Sequence, residues 1–384
     1  MKPLSNAILN AKKSSIRKLF ELVLTAKNAI SFGIGQPDFP TPQPVLEGMI
    51  QACKEKKTQY APALGLPQLR ELVATKFREE NKLDWVRKEN IIITNGGSQA
   101  LHLAFSALLN PEDEVIINSP NFLSYYYLTE FSHARPVEVR RKDDFSLDLD
   151  ALNEAISEKT KFLIINSPNN PTGYTMTEEE IDAIVDLTRD NDLYLVSDEV
   201  YEKFVYDDRQ AISPAAYDGM EDRVLTLNAM SKTYAATGLR IGYVAASEEI
   251  IALMEKYAQY SAAGVNHPMQ YGAIQGLQSG NPQMKDILAD YNKRRLYTYD
   301  RLIKMGLEVP KPYGAFYIMP KISNVFPTSD EFSTALMTEQ EVAVVPGSAF
   351  GSYADEYVRI SYATSQDNLE EGLNRMEEFV QARL

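Results

Sequence analysis

Residues 228–242 read NAMSKTYAATGLRIG and place one lysine, Lys232, among small and polar residues, with Arg240 eight positions later. A surface lysine needs no such neighbours, because its ammonium simply remains in water. Small side chains leave room for a planar ligand at the amine, and a guanidinium can hold an anion by a bidentate fork. Taken singly, the two cations could also be a solvated loop lysine and half of a surface ion pair. Together they predict a ligand site, and the flanking segments indicate the fold that carries it.

Short apolar runs precede helical patterns on both sides of this stretch. The runs are rich in Ile, Val and Leu without polar alternation, which is typical of strands buried on both faces. They lie in the segments 90–95, 113–120, 160–173, 193–201 and 223–234. Thr177 and Glu180 form a capping box at the start of one of the intervening helices. The alternation of strands and helices predicts an α/β fold with a mostly parallel central sheet covered by helices.

The pattern changes after residue 282. Residues 284–306 read as a long charged helix, short strands follow, and a last helix is expected over 366–383. We therefore predict a large ligand-binding domain at 45–282 and a smaller α+β domain formed by 1–44 with 283–384. A chain of 384 residues is long enough for two such units.

Composition excludes several classes of partner. The net charge of −14 argues against binding to nucleic acid or to an anionic membrane, since both require a basic face. No signal-peptide pattern and no membrane-spanning run are recognised. Cys53 is the single cysteine, so no intrachain disulfide can form, and a location in the cytoplasm is expected. No metal site is predicted.

The predicted strands end in polar residues, at the edge where open α/β sheets bind ligands. Gly97 and Ser98 follow the first strand and begin a helix, whose free N–H groups suit a phosphate. Asn170 follows a later strand and could face a cleft. Asp198, with Tyr201 three residues on, ends another buried strand, where a carboxylate is costly unless a cation pairs with it. Each of these residues also has a purely structural alternative when it is considered alone. Gly97 and Ser98 could form a plain turn, Asn170 an Asx turn, and Asp198 a helix N-cap.

The polar residues at these strand ends indicate a ligand more specifically together than any of them does alone. Pyridoxal phosphate needs a lysine for its aldehyde, an anion for its pyridine nitrogen, hydrogen-bond donors for its phenolic oxygen, and a helix end with an arginine for its phosphate. The residues at these strand ends supply each of these groups.

The sequence resembles the class I aminotransferases of the pyridoxal phosphate fold-type I superfamily over nearly its whole length, and is most similar to archaeal-type aromatic aminotransferases. The motifs that carry the resemblance are GIGQPDFPTP (33–42), YAPALGLPQLRELVA (60–74), GGSQAL (96–101), SPNNPTG (167–173), VSDEVYEKFVYDD (196–208), SKTYAATGLRIGYVAA (231–246), PYGAFYIMP (312–320), VAVVPGSAFG (342–351) and YVRISYAT (357–364).

The resemblance implies a role for individual residues. Lys232 would bind the cofactor covalently and move the reaction's proton, Asp198 would pair with the pyridinium nitrogen, and Tyr201 and Asn170 would donate to the ring oxygen. The other implied contacts are Phe122 on the ring face, Gly97, Ser98, Gln99, Ser231 and Arg240 at the phosphate, Tyr60 at the phosphate of a neighbouring subunit, and Arg359 with Gly35 and Asn170 at the substrate. The Tyr60 contact implies a homodimer with shared active sites.

Two positions depart from the family pattern. Ala229 stands where relatives carry Gly or Ser, which removes a possible hydroxyl contact to the phosphate. Ser98 stands where many bacterial aspartate transaminases carry a lysine for the distal carboxylate. We therefore expect aromatic amino donors with 2-oxoglutarate as acceptor in a ping-pong reaction, with aspartate, alanine, methionine and kynurenine left open. A pyridoxal phosphate-dependent β-lyase on the same fold is the alternative reaction, and a regulatory binding role is disfavoured because no DNA-binding segment is found.

Overall fold

The computed structural model describes residues 28–384, together with residues 4, 5, 8, 9, 11 and 23. Its strands are β1 Ile30–Ser31, β2 Ile91–Asn95, β3 Glu114–Ser119, β4 Arg135–Arg140, β5 Thr160–Asn166, β6 Tyr194–Asp198, β7 Val224–Ala229, β8 Ile241–Ala245, β9 Tyr317–Ile318, β10 Val342–Ala343, β11 Val345–Pro346 and β12 Val358–Ser361. Its α-helices are α1 Gln43–Lys54, α2 Pro67–Asn81, α3 Gly96–Leu108, α4 Leu123–Phe131, α5 Leu149–Glu154, α6 Glu178–Asp190, α7 Met230–Thr233, α8 Glu248–Ser261, α9 His267–Ser279, α10 Met284–Lys304, α11 Ser329–Gln340 and α12 Gln366–Gln381.

A seven-stranded sheet in the order β2-β8-β7-β6-β5-β3-β4 forms the centre of the molecule. β8 is antiparallel to both of its neighbours, and the other pairs are parallel. The residues of β5, β6 and β7 are almost all buried, as the unbroken apolar runs predict. The predicted α/β class with a mostly parallel sheet is confirmed, and so is the capping box of Thr177 and Glu180 at the start of α6.

Two strands of this sheet were not predicted. β4 has the sequence RPVEVR, in which charged residues alternate with apolar ones because the strand lies at the sheet edge. β8 follows the short helix α7 without the long crossover helix that a parallel strand requires. Because β8 runs antiparallel, its start lies beside the ends of the parallel strands β2 and β7.

Strand register brings the chemically important residues to one edge of the sheet. Asp198 at the end of β6 lies opposite Asn166 of β5 and Leu227 of β7. Ala229 at the end of β7 lies opposite Gly242 near the start of β8. The residues before β8 and after β7 therefore meet at the carboxyl edge.

A second region packs against the loop after β6. It contains a three-stranded sheet, β11-β12-β9, and the two-stranded pair β1-β10. Backbone hydrogen bonds join the loop after β6 to the segment before β9, from Tyr206 to Tyr313 at 2.9 Å and from Ala315 to Phe204 at 2.8 Å. Much of the predicted segment 1–44 lies outside the described residues, and the domain division at 45–282 stays a prediction. In the part of the chain that is described, no helix combines the length and apolar character needed to cross a membrane.

Candidate active site

A cavity of about 410 Å³ opens at the carboxyl edge of the large sheet. This volume lies within the range of small-molecule sites. Eleven of the predicted site residues line it: Gly35, Gly97, Ser98, Phe122, Asn170, Asp198, Tyr201, Ser231, Lys232, Arg240 and Arg359. The fold thus collects side chains from seven separate segments around one space.

Lys232 lies on the one-turn helix α7 and points into the cavity. Its Nζ donates a hydrogen bond to the carbonyl oxygen of Gly35 at 2.5 Å. Burial, together with the nearby positive charge of Arg359, lowers the pKa of the amine to about 8. Asp198 opposes this shift. Such an amine is a usable nucleophile and base near neutral pH.

Asp198 is 9% exposed and lies at the floor of the cavity. Its Oδ2 accepts a hydrogen bond from the Tyr125 hydroxyl at 2.7 Å, and its Oδ1 accepts one from the Val200 N–H at 3.3 Å. Burial raises the pKa of the carboxyl, whereas the Tyr125 hydrogen bond lowers it. Among the described residues no salt bridge neutralises Asp198, so a cationic ring nitrogen would find an unpaired anion there.

Tyr125 was not predicted as a site residue. It lies in α4, three residues after Phe122, and is completely buried. Its tyrosine-rich stretch SYYYL reads as core, and only the fold shows which of three consecutive tyrosines reaches Asp198. Phe122 forms the wall beside it, with the two rings 5.7 Å apart and nearly perpendicular.

Arg359 extends from β12 and is 4% exposed. Its Nη1 donates to Asn170 Oδ1 at 2.9 Å and its Nη2 donates to the Gly33 carbonyl at 2.7 Å. Its Nε is buried without a partner. Burial lowers the pKa of this guanidinium, and in the described part of the chain no carboxylate pairs with it. A buried, unpaired guanidinium with a free donor has the charge and geometry to bind a carboxylate.

Asn170 and Tyr201 also line the cavity, Asn170 beside Arg359 and Tyr201 with its ring 5.7 Å from Lys232 Nζ. The Asn170 side chain uses its oxygen to accept from Arg359, so its amide nitrogen remains to donate. The Tyr201 hydroxyl lies 2.8 Å from the hydroxyl of Tyr317, a cavity residue that was also not predicted. Gly35 packs directly against Tyr317, since a Cβ on this glycine would overlap the hydroxyl.

Arg240 marks the opposite end of the cavity. It is exposed, and its Nη2 lies 3.4 Å from Ser98 Oγ while its Nη1 donates to the Thr237 carbonyl at 3.0 Å. Gly96 has φ +73°, and a Cβ there would come within 2.6 Å of Arg240 Nη2. Glycine therefore lets the arginine approach the start of α3, where backbone N–H groups are free. This corner has the donors and the charge to hold a phosphate.

Two predicted cofactor contacts lie outside the cavity. Gln99 turns back on its own helix, where its Oε1 accepts from the backbone and side-chain amides of Asn95 at 2.6 and 3.0 Å. Its side chain is therefore held against Asn95 at the start of α3, and its contact with the cofactor stays a prediction. Tyr60 is 90% exposed on the single chain and does not line the cavity. Its role at a neighbouring subunit stays a prediction.

The charges in the cavity indicate what kind of ligand would fit it. Three cationic side chains, Lys232, Arg240 and Arg359, surround one buried carboxylate, Asp198, and none of the three has a carboxylate partner among the described residues. The residues therefore fit a planar molecule with a phosphate at one end and a ring nitrogen at Asp198, next to a substrate carboxylate at Arg359. Ala229 offers no hydroxyl at this site, but its backbone is held in β7.

Comparison with known proteins agrees with this chemistry. Residues 27–376 match the model of the family described as aminotransferase class I and II. The chain is 42% identical over 374 residues to an aspartate aminotransferase of Pyrococcus abyssi, covering 96% of each chain. It is 40% identical over 384 residues to aromatic-amino-acid aminotransferase 2 of Thermococcus litoralis, covering 99% of each. The solved aspartate aminotransferase from Thermus thermophilus with maleate superposes with a TM-score of 0.94 at 36% identity, covering 99% of this chain and 100% of that one.

Proposed function

Because the chain belongs to the class I and II aminotransferases, we propose that it binds pyridoxal 5′-phosphate at Lys232 and moves amino groups from L-amino acids, with aromatic donors preferred, to a 2-oxo acid such as 2-oxoglutarate. The observation that carries this proposal is the placement of three unpaired cations around one buried carboxylate in a single cavity. When bound, the cofactor supplies an electron sink for the carbanion that forms when an amino acid loses its α-proton.

Four groups of residues would hold the cofactor. Ser98, Ser231 and Arg240 would bind the phosphate together with the start of α3. Phe122 would pack against the ring. Asp198 would keep the ring nitrogen protonated, since the Tyr125 hydrogen bond orients its carboxylate. Tyr201 and Asn170 would donate to the ring oxygen.

Lys232 is the group that moves the proton. With a pKa of about 8, a fraction of the amine is neutral at pH 7.5 and can take a proton from the α-carbon of a bound amino acid. The resulting ammonium can return the proton at a neighbouring atom. Phe122, Tyr317 and Ile34 supply apolar surface to the same cavity. The second half of the ping-pong cycle uses the same groups with the 2-oxo acid.

Arg359 binds the α-carboxylate that all amino acids and 2-oxo acids share. Donor preference then depends on the side-chain pocket. Among the described residues that line the cavity, the cations are Lys232, Arg240 and Arg359, and each already has a role. A distal carboxylate of aspartate would lack a partner, whereas an aromatic ring gains from burial against apolar walls. This supports aromatic donors, while a dicarboxylic acceptor requires a polar group that has no other role, such as Gln36, which also lines the cavity.

Position 98 provides a direct test of this preference. Ser98→Lys should raise kcat/KM for aspartate relative to phenylalanine by about 5- to 30-fold, the effect of roughly 1–2 kcal/mol from a partly solvated ion pair. Ser98→Met has similar length without the charge and should not raise it. A wild-type donor panel in which aspartate clearly exceeds phenylalanine and tyrosine would reject the aromatic preference and leave the transaminase activity in place.

The covalent assignment has its own test. Borohydride should fix the cofactor to wild-type protein, and peptide mapping should place it on Lys232. Lys232→Ala should lose both the fixation and turnover. Fixation to another lysine in that variant would show that the assignment is wrong. Amino donors converted without any 2-oxo acid acceptor would favour a β-lyase instead.

Assembly and location complete the proposal. Tyr60 is exposed and does not line its own cavity, which supports a contact with the phosphate of a partner subunit in a homodimer with shared sites. Cys53 is a free, exposed thiol, which suits the reducing cytoplasm.

A further inference from the structure

Tyr317 connects two functional groups that the sequence treats as separate. It lies in β9, is 1% exposed, and lines the cavity. Its hydroxyl is 2.8 Å from that of Tyr201, and its ring lies 4.6 Å from the guanidinium carbon of Arg359. The same side chain thus contacts the phenol at the cofactor's ring oxygen and the arginine at the substrate carboxylate.

The positions of the two phenols are fixed by the backbone. Val205 and Gly314 form an antiparallel bridge, which ties the segment after Tyr201 to the segment before Tyr317. The two rings are 5.7 Å apart and nearly perpendicular. The absence of a side chain on Gly35 leaves the space that the Tyr317 hydroxyl fills.

The number of protons on the two hydroxyls determines which of them donates the hydrogen bond between Tyr201 and Tyr317. Burial raises the pKa of both phenols, so each carries one proton at neutral pH. Either oxygen can donate in the unliganded pair. When Tyr201 donates to the ring oxygen of a cofactor, its single proton is used, and the shared bond must then be donated by Tyr317. A hydroxyl that accepts one hydrogen bond becomes a stronger donor in the next.

The ring of Tyr317 has a separate effect. Arg359 lacks an acidic partner in the described part of the chain, so its plane is held by two hydrogen bonds and by the faces of Tyr317 and Phe350, the latter at 5.0 Å. A guanidinium stacked on an aromatic ring keeps the orientation that a bidentate carboxylate pair needs.

We propose that Tyr317 is a positioning residue with two separable roles: its hydroxyl strengthens the hydrogen bond from Tyr201 to the cofactor, and its ring orients Arg359 for the substrate carboxylate. This inference rests on the proposed function. The two roles are separable because Tyr317→Phe removes the hydroxyl and keeps the ring, whereas Tyr317→Leu removes both.

The first role is tested by the visible absorbance of the cofactor bound at Lys232, titrated with pH. A weaker donor at the ring oxygen disfavours its anionic form, so the midpoint should rise by roughly 0.2–0.6 pH units in Tyr317→Phe, and by more in Tyr201→Phe. In the Tyr201→Phe background, the further change Tyr317→Phe should have no effect. An unchanged midpoint in the single variant, or an equal shift in both backgrounds, would overturn the role of the hydroxyl.

The second role is tested by steady-state kinetics. Tyr317→Phe should leave KM for amino donors within about twofold, and Tyr317→Leu should raise KM for every donor by roughly 3- to 10-fold. In an Arg359→Met background, the Phe and Leu variants should have equal KM. Equal KM values for the two variants with Arg359 present would overturn this role. A wild-type protein without a cofactor absorbance that titrates would instead reject the proposed function.

Discussion

The substitution Arg359→Lys tests the carboxylate site most directly. The guanidinium makes hydrogen bonds of 2.9 Å to Asn170 and 2.7 Å to the Gly33 carbonyl, and its unpartnered Nε remains for a ligand. Lysine keeps the charge but lacks the planar fork, so it cannot satisfy both protein acceptors and a carboxylate in one plane. Hydrogen bonds of charged groups contribute about 1.5–3 kcal/mol each. Loss of one of them predicts a decrease of about 1.5–3 kcal/mol, or about 10- to 150-fold in kcat/KM.

The assay is kcat/KM for phenylalanine, tyrosine and aspartate with a fixed 2-oxo acid. Because the α-carboxylate is common to all donors, the loss should be the same for each within about threefold. Arg189→Lys is the matched control, since Arg189 lies outside the cavity and forms a weak surface pair with Asp186 at 3.8 Å. Its kcat/KM should change less than twofold. A loss below about fivefold, or one confined to a single donor, would refute the assignment of Arg359.

Four further outcomes are expected. The rate at which pyridoxal phosphate binds to Lys232 in cofactor-free protein should increase with pH around a midpoint of about 8, the pKa of this lysine. Arg359→Met should move that midpoint upward, because it removes a neighbouring positive charge. Stopped-flow absorbance measures both midpoints. Burial raises the pKa of Glu199 in the folded protein from 4.5 to about 7, so ionisation of this carboxyl destabilises the fold progressively from pH 4.5 to 7. Urea unfolding should therefore show Glu199→Gln gaining stability over wild type across that window, up to about 3 kcal/mol at pH 8. An equal difference in stability at pH 5 and pH 8 would contradict this expectation. Asp198→Ala should keep the cofactor bound but slow single-turnover proton transfer severely, whereas near-normal rates would reject its role. Mixed Tyr60→Ala and Lys232→Ala proteins should regain activity if subunits share sites, and no recovery would indicate independent sites.

Some residues of the site could be predicted from local sequence, and others depended on the tertiary structure. Lys232, Asp198 and Asn170 could be predicted because each lies at the end of a buried apolar strand or within four residues after it, and parallel strands bring their carboxyl ends to one edge. Arg240 and Ser98 followed from glycine and small residues beside a helix start. These are local features, since hydrophobic pattern and turn chemistry act over a few residues. The family motifs then added Arg359, which no local pattern connects to the others.

Tertiary structure decided the rest. The antiparallel direction of β8 depends on the absence of a crossover helix after α7, and it is what places Arg240 beside Ser98. Gln99 has the position of a cofactor ligand in sequence, but its amide turns to Asn95. Tyr125 and Tyr317 lie 73 and 116 residues from the groups they contact, Asp198 and Tyr201. Contacts between residues so far apart in the chain depend on strand register and on side-chain packing across the whole core, and no short segment of sequence contains that information. The sequence alone therefore determined the set of reacting groups, and the fold determined which side chains orient them.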